Sequence, residues 1–239
     1  MKKLIRGIID FRRNLRPGYR KTFARLALGQ DPDVLFIGCS DSRVVPNLFA
    51  STEPGDLFVT RNIGNIVPPA SSTNHEAFSA VLEYSTKYLG VRDIVVCGHS
   101  ECGAMLASLK DGAVDTETDL GRWLSLIKPT VERLRAGHTV DPTLTLHNQL
   151  SQLNVLAQLE RLREYPCVAE GLASGHVVLH GWWFDISRAD VYAWEPDDEL
   201  FALIDEPEAE RILQRIADHE PREPRDVNGG DDDSPAATP

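Results

Sequence analysis

Short apolar runs, without the polar alternation of a half-exposed strand, recur along this chain of 239 residues. Residues 33–38, 93–98 and 176–182 form such runs, which indicate strands buried on both faces of a parallel sheet. Residues 57–61 predict another strand, and residues 190–194 predict a strand at the edge. The pattern therefore predicts a sheet with four inner strands and one edge strand.

The stretches between these strands carry apolar residues at helical spacing. Residues 3–14 and 19–28 predict two N-terminal helices, separated by the turn signal Arg16-Pro17-Gly18. Further helices are predicted between residues 78 and 89, from residue 101, and at 120–135, 144–163 and 206–218. The helix over 144–163 should bury one stripe of leucines: Leu146, Leu150, Leu153, Leu156 and Leu159.

This order of elements predicts an α/β protein. We expect a mostly parallel β-sheet of four inner strands plus an edge strand, flanked by helices and preceded by N-terminal helical arms. Residues 1–32 would form the arms and residues 33–219 the α/β domain. Residues 220–239 are rich in proline, glycine and aspartate, a composition that predicts a disordered acidic tail.

Composition and charge narrow the functional classes. The formal net charge is −11, and residues 218–239 hold seven acidic residues against two arginines. A negative chain is unsuited to nucleic acid or to an anionic membrane. No apolar stretch approaches a membrane span, and Arg6 and Asp10 interrupt a signal-like start, so we expect a cytoplasmic protein. In a reducing cytosol the four cysteines are not expected to form disulfides.

Two short segments place metal-binding side chains directly after two predicted strands. Residues 39–43 read Cys-Ser-Asp-Ser-Arg, and residues 99–103 read His-Ser-Glu-Cys-Gly. Together they offer two thiolates, an imidazole and a carboxylate, a set that suits Zn²⁺ with three protein ligands and one position for water. The carboxyl ends of strands are also where α/β sheets hold their active sites. We therefore expect a zinc centre in the α/β domain.

These two motifs closely resemble those of the β-class carbonic anhydrases, lyases that hydrate CO₂ to bicarbonate on zinc. The resemblance extends over roughly residues 1–195. It implies that Cys39, His99 and Cys102 are the zinc ligands. It also implies that Asp41 and Arg43 are the family's paired catalytic aspartate and arginine.

The resemblance further implies a substrate pocket. Without a gap in spacing, four residues fall on pocket positions of the plant-like, open-site branch: Gln30, Phe58, Ile63 and Tyr84. Val67 would add to the apolar wall, and the backbone N–H of Gly103 would donate to a substrate oxygen. The other branch binds inhibitory bicarbonate with a Trp, Arg and Tyr set and closes its aspartate on the zinc. The matching positions hold Phe36, Arg61 and Phe184, which implies an open zinc site here.

The implied reaction is the reversible hydration of CO₂ to bicarbonate and a proton by attack of zinc hydroxide. Arg43 would keep Asp41 ionised, so that Asp41 accepts a hydrogen bond from the hydroxide and orients it. His75 is our candidate for the relay that exports the proton. Residues 70–78 depart from the Tyr- and Gly-rich run of the family, a departure that bears on the rate more than on the reaction.

Two other functions stay open at this stage. The same site could hydrolyse a CO₂ analogue, carbonyl sulfide or carbon disulfide. Alternatively the protein could be a non-catalytic zinc scaffold, with Asp41 as a fourth ligand and a partner bound by the tail. The N-terminal helices resemble the family's subunit-embracing arms, which implies a homodimer or a higher even-numbered oligomer. Such arms would place Gln30 over the zinc of the neighbouring subunit.

Overall fold

The structure is a computed structural model that describes residues 1–72, 74–110, 112 and 114–218. The described residues up to 204 form one compact unit, and those from 205 to 218 form a second. The described part of the second unit is a single amphipathic helix, Glu206–Asp218, as the sequence predicts. The predicted acidic tail, residues 220–239, lies outside the described residues.

Six strands form one sheet within the first unit: β1 (Val34–Cys39), β2 (Leu57–Asn62), β3 (Asp93–His99), β4 (Val178–Asp185), β5 (Asp190–Glu195) and β6 (Leu200–Leu203). Their order in the sheet is β2-β1-β3-β4-β5-β6. The strands β1 to β4 pair in parallel, whereas β5 and β6 are antiparallel additions at one side.

This sheet confirms the predicted α/β class and corrects two positions in it. β2 is an edge strand of this chain and not an inner one, and its residues are accordingly exposed or half-buried. β5 is not the edge, because β6 pairs beyond it. The sequence pattern does not predict β6, since four residues are too short a run to show a strand period.

Ten α-helices accompany the sheet in the described part of the chain, and none of them is long and apolar enough to cross a membrane. Two π-helical turns, Phe11–Leu15 and Tyr84–Tyr88, continue the first and fourth helices. The α-helices are α1 (Lys2–Asp10), α2 (Arg16–Leu26), α3 (Pro46–Phe49), α4 (Glu76–Glu83), α5 (Gly103–Leu109), α6 (Asp119–Ser125), α7 (Lys128–Arg135), α8 (Leu146–Arg163), α9 (Pro166–Ala173) and α10 (Glu206–Asp218).

Proline positions explain two differences from the predicted helices. The predicted break at residues 16–18 is wrong, because Pro17 occupies the first turn of α2, where its missing N–H is not needed. The arm is therefore helical from Lys2 to Leu26. The predicted single helix over 120–135 is divided into α6 and α7, and Pro129 lies in the first turn of α7.

The core lies around β1 and β3. Nearly every residue of β1 and β3 is buried, which agrees with their continuous apolar sequence. α8 packs on one face of β3 and β4, with Leu150, Leu153 and Leu159 buried as predicted. Leu146 was expected on the same stripe but is 63% exposed, because it is the first residue of the helix.

The N-terminal arm has an apolar stripe that none of the described residues covers. No residue of α1, of the π-helical turn or of α2 is buried. The apolar side chains that remain exposed include Leu4, Ile5, Ile8, Ile9, Phe11, Leu15 and Phe23. An amphipathic helix of this kind is stable when its apolar face packs against a partner.

Candidate metal centre

Three donor side chains meet at the carboxyl ends of two neighbouring strands, β1 and β3. Cys39 is the last residue of β1, His99 is the last residue of β3, and Cys102 caps the N-terminus of α5. One ligand atom from each lies within 4.8 Å of the others, and all three residues are buried. The parallel pairing of β1 with β3 causes this convergence, because both strands end at the same edge.

The imidazole of His99 is held in one tautomer. Its Nδ1 lies 2.8 Å from the carbonyl oxygen of Ser100, so Nδ1 carries the proton and donates it. Nε2 is buried and has no hydrogen-bond partner among the described residues. A buried ring nitrogen with a free lone pair, oriented by a carbonyl on its other nitrogen, is the usual arrangement of a metal-binding histidine. The donor set therefore fits a metal ion.

The pKa values of the two thiols are shifted in opposite directions. A hydrogen bond from Cys102, together with backbone N–H groups including that of Gly64, lowers the pKa of Cys39 to about 4, although burial of the thiol acts to raise it. The pKa of Cys102 is raised, because its proton is shared with Cys39 and because the thiol is buried. A divalent cation would displace that shared proton and bind both sulfurs as thiolates.

A bidentate ion pair lies beside the three donors. Arg43 donates from Nε to Oδ1 of Asp41 at 2.9 Å and from Nη2 to Oδ2 at 2.7 Å. These bonds hold the pKa of Asp41 well below its usual range, so the carboxylate is ionised at neutral pH. Arg43 also donates from Nη2 to the carbonyl oxygen of Glu101 at 2.9 Å, which ties the two motifs together.

Arg61 on β2 supports the backbone of the first motif. Its Nε donates to the carbonyl oxygen of Cys39 at 2.8 Å, and its Nη2 donates to that of Asp41 at 2.6 Å. From the family resemblance, Arg61 was expected only to match the arginine of the bicarbonate-binding set of the other branch. Here Phe36 and Phe184 pack together in an apolar cluster, and Arg61 binds carbonyl oxygens.

Three of the expected pocket residues, Ile63, Val67 and Gly103, come after the carboxyl end of β2 or of β3. Ile63 comes directly after Asn62, which aligns with Cys39 across the β1–β2 pair, and its side chain is 44% exposed. Val67 is fully buried in the hydrophobic core and offers no exposed wall within this chain. Gly103 is exposed and is the first residue of α5, directly after Cys102.

The other three expected pocket residues are not brought to the donors of their own chain. Phe58 aligns with Leu35, four residues before Cys39, so it lies about 13 Å back along the strand direction. Tyr84 packs against Phe58, with ring centroids 5.9 Å apart. Gln30 is exposed and precedes the amino-terminal end of β1.

Helix α8 provides polar contacts that the sequence analysis missed. Ser151 donates from Oγ to the carbonyl oxygen of His99 at 2.8 Å. Asn154 donates from Nδ2 to the carbonyl oxygen of Gly64 at 3.0 Å, and the N–H of Gly64 in turn donates to Sγ of Cys39. The sequence does carry a signal for these contacts, because α8 contains many amide and hydroxyl side chains besides its leucines.

His75 lies near the candidate pocket but not at the donors. Its ring packs against Trp123 edge to face, with centroids 5.4 Å apart. Trp123 donates from Nε1 to the carbonyl oxygen of Ile63 at 2.7 Å. His75 is half-buried at the start of α4, so it is within reach of solvent and of the segment that follows β2.

Comparison with known proteins gives a single family. The family model described as carbonic anhydrase matches residues 34–191. A carbonic anhydrase of Pseudomonas aeruginosa is 40% identical over 213 residues, which covers 89% of this chain and 96% of that protein.

Two solved structures are similar throughout the fold. The β-carbonic anhydrase CcaA superposes with a TM-score of 0.80 at 37% identity, over 85% of this chain and 98% of that one. One of two tetrameric β-carbonic anhydrases from Sordaria macrospora gives a TM-score of 0.65 at 33% identity, over 80% of this chain and 92% of that one.

Proposed function

Since this chain belongs to the β-carbonic anhydrase family, we propose that it catalyses the reversible hydration of CO₂ to bicarbonate on a zinc ion. The observation that carries the proposal is the convergence of Cys39, His99 and Cys102 at one edge of the sheet, beside an ionised aspartate. A purely structural zinc site would normally use four protein ligands. Asp41 is a poor candidate for the fourth, because both of its carboxylate oxygens are bound by Arg43.

Zinc is the metal that this donor set favours. Two cysteine sulfurs and one imidazole nitrogen suit its preference for soft and borderline ligands in a four-coordinate site with one open position. When bound, zinc supplies hydroxide near neutral pH, because it lowers the pKa of water. Two thiolates neutralise the charge of the dication, so we expect this effect to be weaker than in a site of neutral histidines.

Asp41 is the residue that we assign to orienting the nucleophile. An ionised carboxylate can only accept hydrogen bonds, so the oxygen that attacks CO₂ must donate its hydrogen to Asp41 and turn a lone pair towards the substrate. Arg43 keeps Asp41 in this charge state and fixes the plane of the carboxylate. We assign the N–H of Gly103 to donate to an oxygen of CO₂ or of bicarbonate.

We assign the rest of the substrate pocket to a second subunit. Gln30, Phe58 and Tyr84 lie away from the donors of their own chain, yet Tyr84 is 45% exposed and Gln30 is exposed, so a neighbouring chain can receive them. The uncovered apolar stripe of the arm supports the same assembly. We therefore propose a homodimer or a higher even-numbered oligomer, in keeping with the tetrameric Sordaria relatives.

The surroundings of Arg61 support the open-site branch for this chain. The two other positions of the anion-binding set hold Phe36 and Phe184, which lie in an apolar cluster and have no polar group to offer. Arg61 itself is committed to two carbonyl oxygens. We therefore expect Asp41 to stay on Arg43, and not on the metal, in the active protein.

The test combines a metal analysis with stopped-flow CO₂ hydration on the same preparation. We expect about one zinc per chain and a rate well above the uncatalysed one. Carbonyl sulfide and carbon disulfide hydrolysis, measured on that preparation, would identify the alternative substrates. A fully zinc-loaded protein that leaves CO₂ hydration at the uncatalysed rate would contradict the proposal.

A further inference from the structure

Glu101 lies between two of the metal-site residues in an unfavourable backbone conformation. Its φ angle is +56°, in the left-handed region that glycine adopts easily and other residues adopt rarely. Glu101 connects His99 to Cys102, so its backbone determines how β3 turns into α5. Strain of this kind persists only where the surrounding structure holds it.

Asn148 on α8 holds Glu101 in this conformation. Its Oδ1 accepts the backbone N–H of Glu101 at 2.8 Å, and its Nδ2 donates to Oε1 of the same residue at 3.1 Å. Asn148 is 7% exposed and lies in the first turn of α8, where its own N–H is bound by the carbonyl oxygen of Thr145. One buried amide thus binds both the backbone and the side chain of Glu101.

The carbonyl group of Glu101 continues the contact towards the catalytic carboxylate. It accepts a hydrogen bond from Nη2 of Arg43 at 2.9 Å, and the same Nη2 binds Oδ2 of Asp41 at 2.7 Å. The direction of this carbonyl group depends on the φ and ψ angles of Glu101, so a change in those angles would remove one of the anchors of the guanidinium. The direction of the Asp41 carboxylate therefore depends on a residue of α8 that is not itself one of the three donors.

We propose that Asn148 is a positioning residue for CO₂ hydration, which acts through Glu101 and Arg43 on Asp41. The inference rests on the proposed function, because it assigns a role in that reaction. His147 also contacts Glu101, with Nε2 3.1 Å from Oε2, but that contact involves the side chain alone. Asn148 differs from His147 because it also binds the backbone N–H of Glu101.

The test uses Asn148→Ala with Gln149→Ala as its matched control. Gln149 is the next residue on α8 and is also a buried amide, but it donates to the carbonyl oxygens of Pro142 and Leu144 and not to the site. Both variants lose buried hydrogen bonds, so both are expected to melt at a lower temperature than the wild type. Only Asn148→Ala is expected to lower kcat/KM per bound zinc, by roughly 10- to 100-fold.

Two further measurements separate positioning from general destabilisation. Hydrogen exchange of the peptide that contains Glu101 should accelerate in Asn148→Ala and stay unchanged in Gln149→Ala. Adding Glu101→Gly to Asn148→Ala should restore most of the lost rate, because glycine adopts the left-handed conformation without strain and keeps the carbonyl group that Arg43 needs.

The proposal is overturned if Asn148→Ala and Gln149→Ala have the same kcat/KM per zinc, or if Glu101→Gly restores nothing. A wild-type protein that binds zinc but does not hydrate CO₂ would instead refute the proposed function. The exchange measurement does not depend on activity. Equal exchange in the two variants would therefore overturn the positioning role by itself.

Discussion

Arg61 donates from Nη2 to the backbone carbonyl oxygen of Asp41 at 2.6 Å, and so holds the main chain of the residue whose side chain Arg43 holds. The second donor of Arg61 binds the carbonyl oxygen of Cys39. Arg61 is far from Cys39 and Asp41 in the sequence and lies on the neighbouring strand, β2. This support therefore comes from the pairing of β1 with β2. Two arginines therefore fix Asp41, one through its peptide group and one through its carboxylate.

The first prediction concerns this backbone support. Arg61→Ala should lower the free energy of unfolding by about 1 to 2 kcal/mol, because two charge-assisted hydrogen bonds are lost. It should also reduce CO₂ hydration, because Cys39 and Asp41 lose the contact that fixes their peptide groups. Arg61→Lys should rescue little, since one ammonium group cannot reproduce two donors in a fixed plane. Urea denaturation and stopped-flow rates measure both effects, and unchanged values in Arg61→Ala would disprove the support role.

The second prediction concerns the metal. Replacing Cys39, His99 or Cys102 with alanine should remove zinc and activity together, and should remove the rise in melting temperature that zinc gives to the wild type. Cys167→Ala is the matched control, because Cys167 is a half-buried thiol that is not one of the three clustered donors. Metal analysis and calorimetry provide the measurement. Full zinc content and activity in Cys102→Ala would rule out the assigned ligand set.

The third prediction concerns the charge of Asp41. Asp41→Asn should keep zinc but lower the hydration rate by about 100-fold, because an amide can donate as well as accept and no longer fixes the nucleophile. Since Arg43 holds the pKa of Asp41 below its usual range, the carboxylate is ionised at every pH above that range. A rise of wild-type activity with alkaline pH must therefore come from another group. If zinc is lost together with Asp41, the carboxylate is a ligand and the open-site assignment is wrong.

The fourth prediction concerns the shared pocket. Cys39→Ala should lack zinc but present an intact Gln30, whereas Gln30→Ala should keep zinc but lack the donor. If Gln30 completes the neighbouring site, hybrids made by refolding the two variants together should contain one fully equipped site. Their activity per zinc should exceed that of Gln30→Ala alone. Verified hybrids without such a gain would show that Gln30 does not act across the interface.

The sequence by itself determined the class of fold and the location of the three donors. The continuous apolar runs ending at Cys39 and His99 identify buried parallel strands, and parallel strands end at one edge of a sheet. Two side chains sixty positions apart were therefore expected to meet. The pairing of Asp41 with Arg43 could also be expected, because only one residue separates them and their charges are opposite.

Predictions from the local sequence pattern were wrong where residues outside that pattern determine the structure. The signal Arg16-Pro17-Gly18 predicts a turn, yet proline in the first turn of a helix breaks no hydrogen bond, and α2 begins there. β2 was expected inside the sheet, but the order of strands is set by which edges pair, and composition does not encode that order.

Only the tertiary structure decided what surrounds the donors. The leucines of α8 predict a helix with one buried face, but α8 also buries Asn148, Ser151, Asn154 and Gln158. These polar side chains bind the backbone of segments up to 91 positions away, including that of Gly64. A polar group removed from water must find a partner, and that partner is set by which loop happens to lie over the helix. The sequence therefore determines which residues can bind the metal, whereas the packing of α8 determines how rigidly they are held.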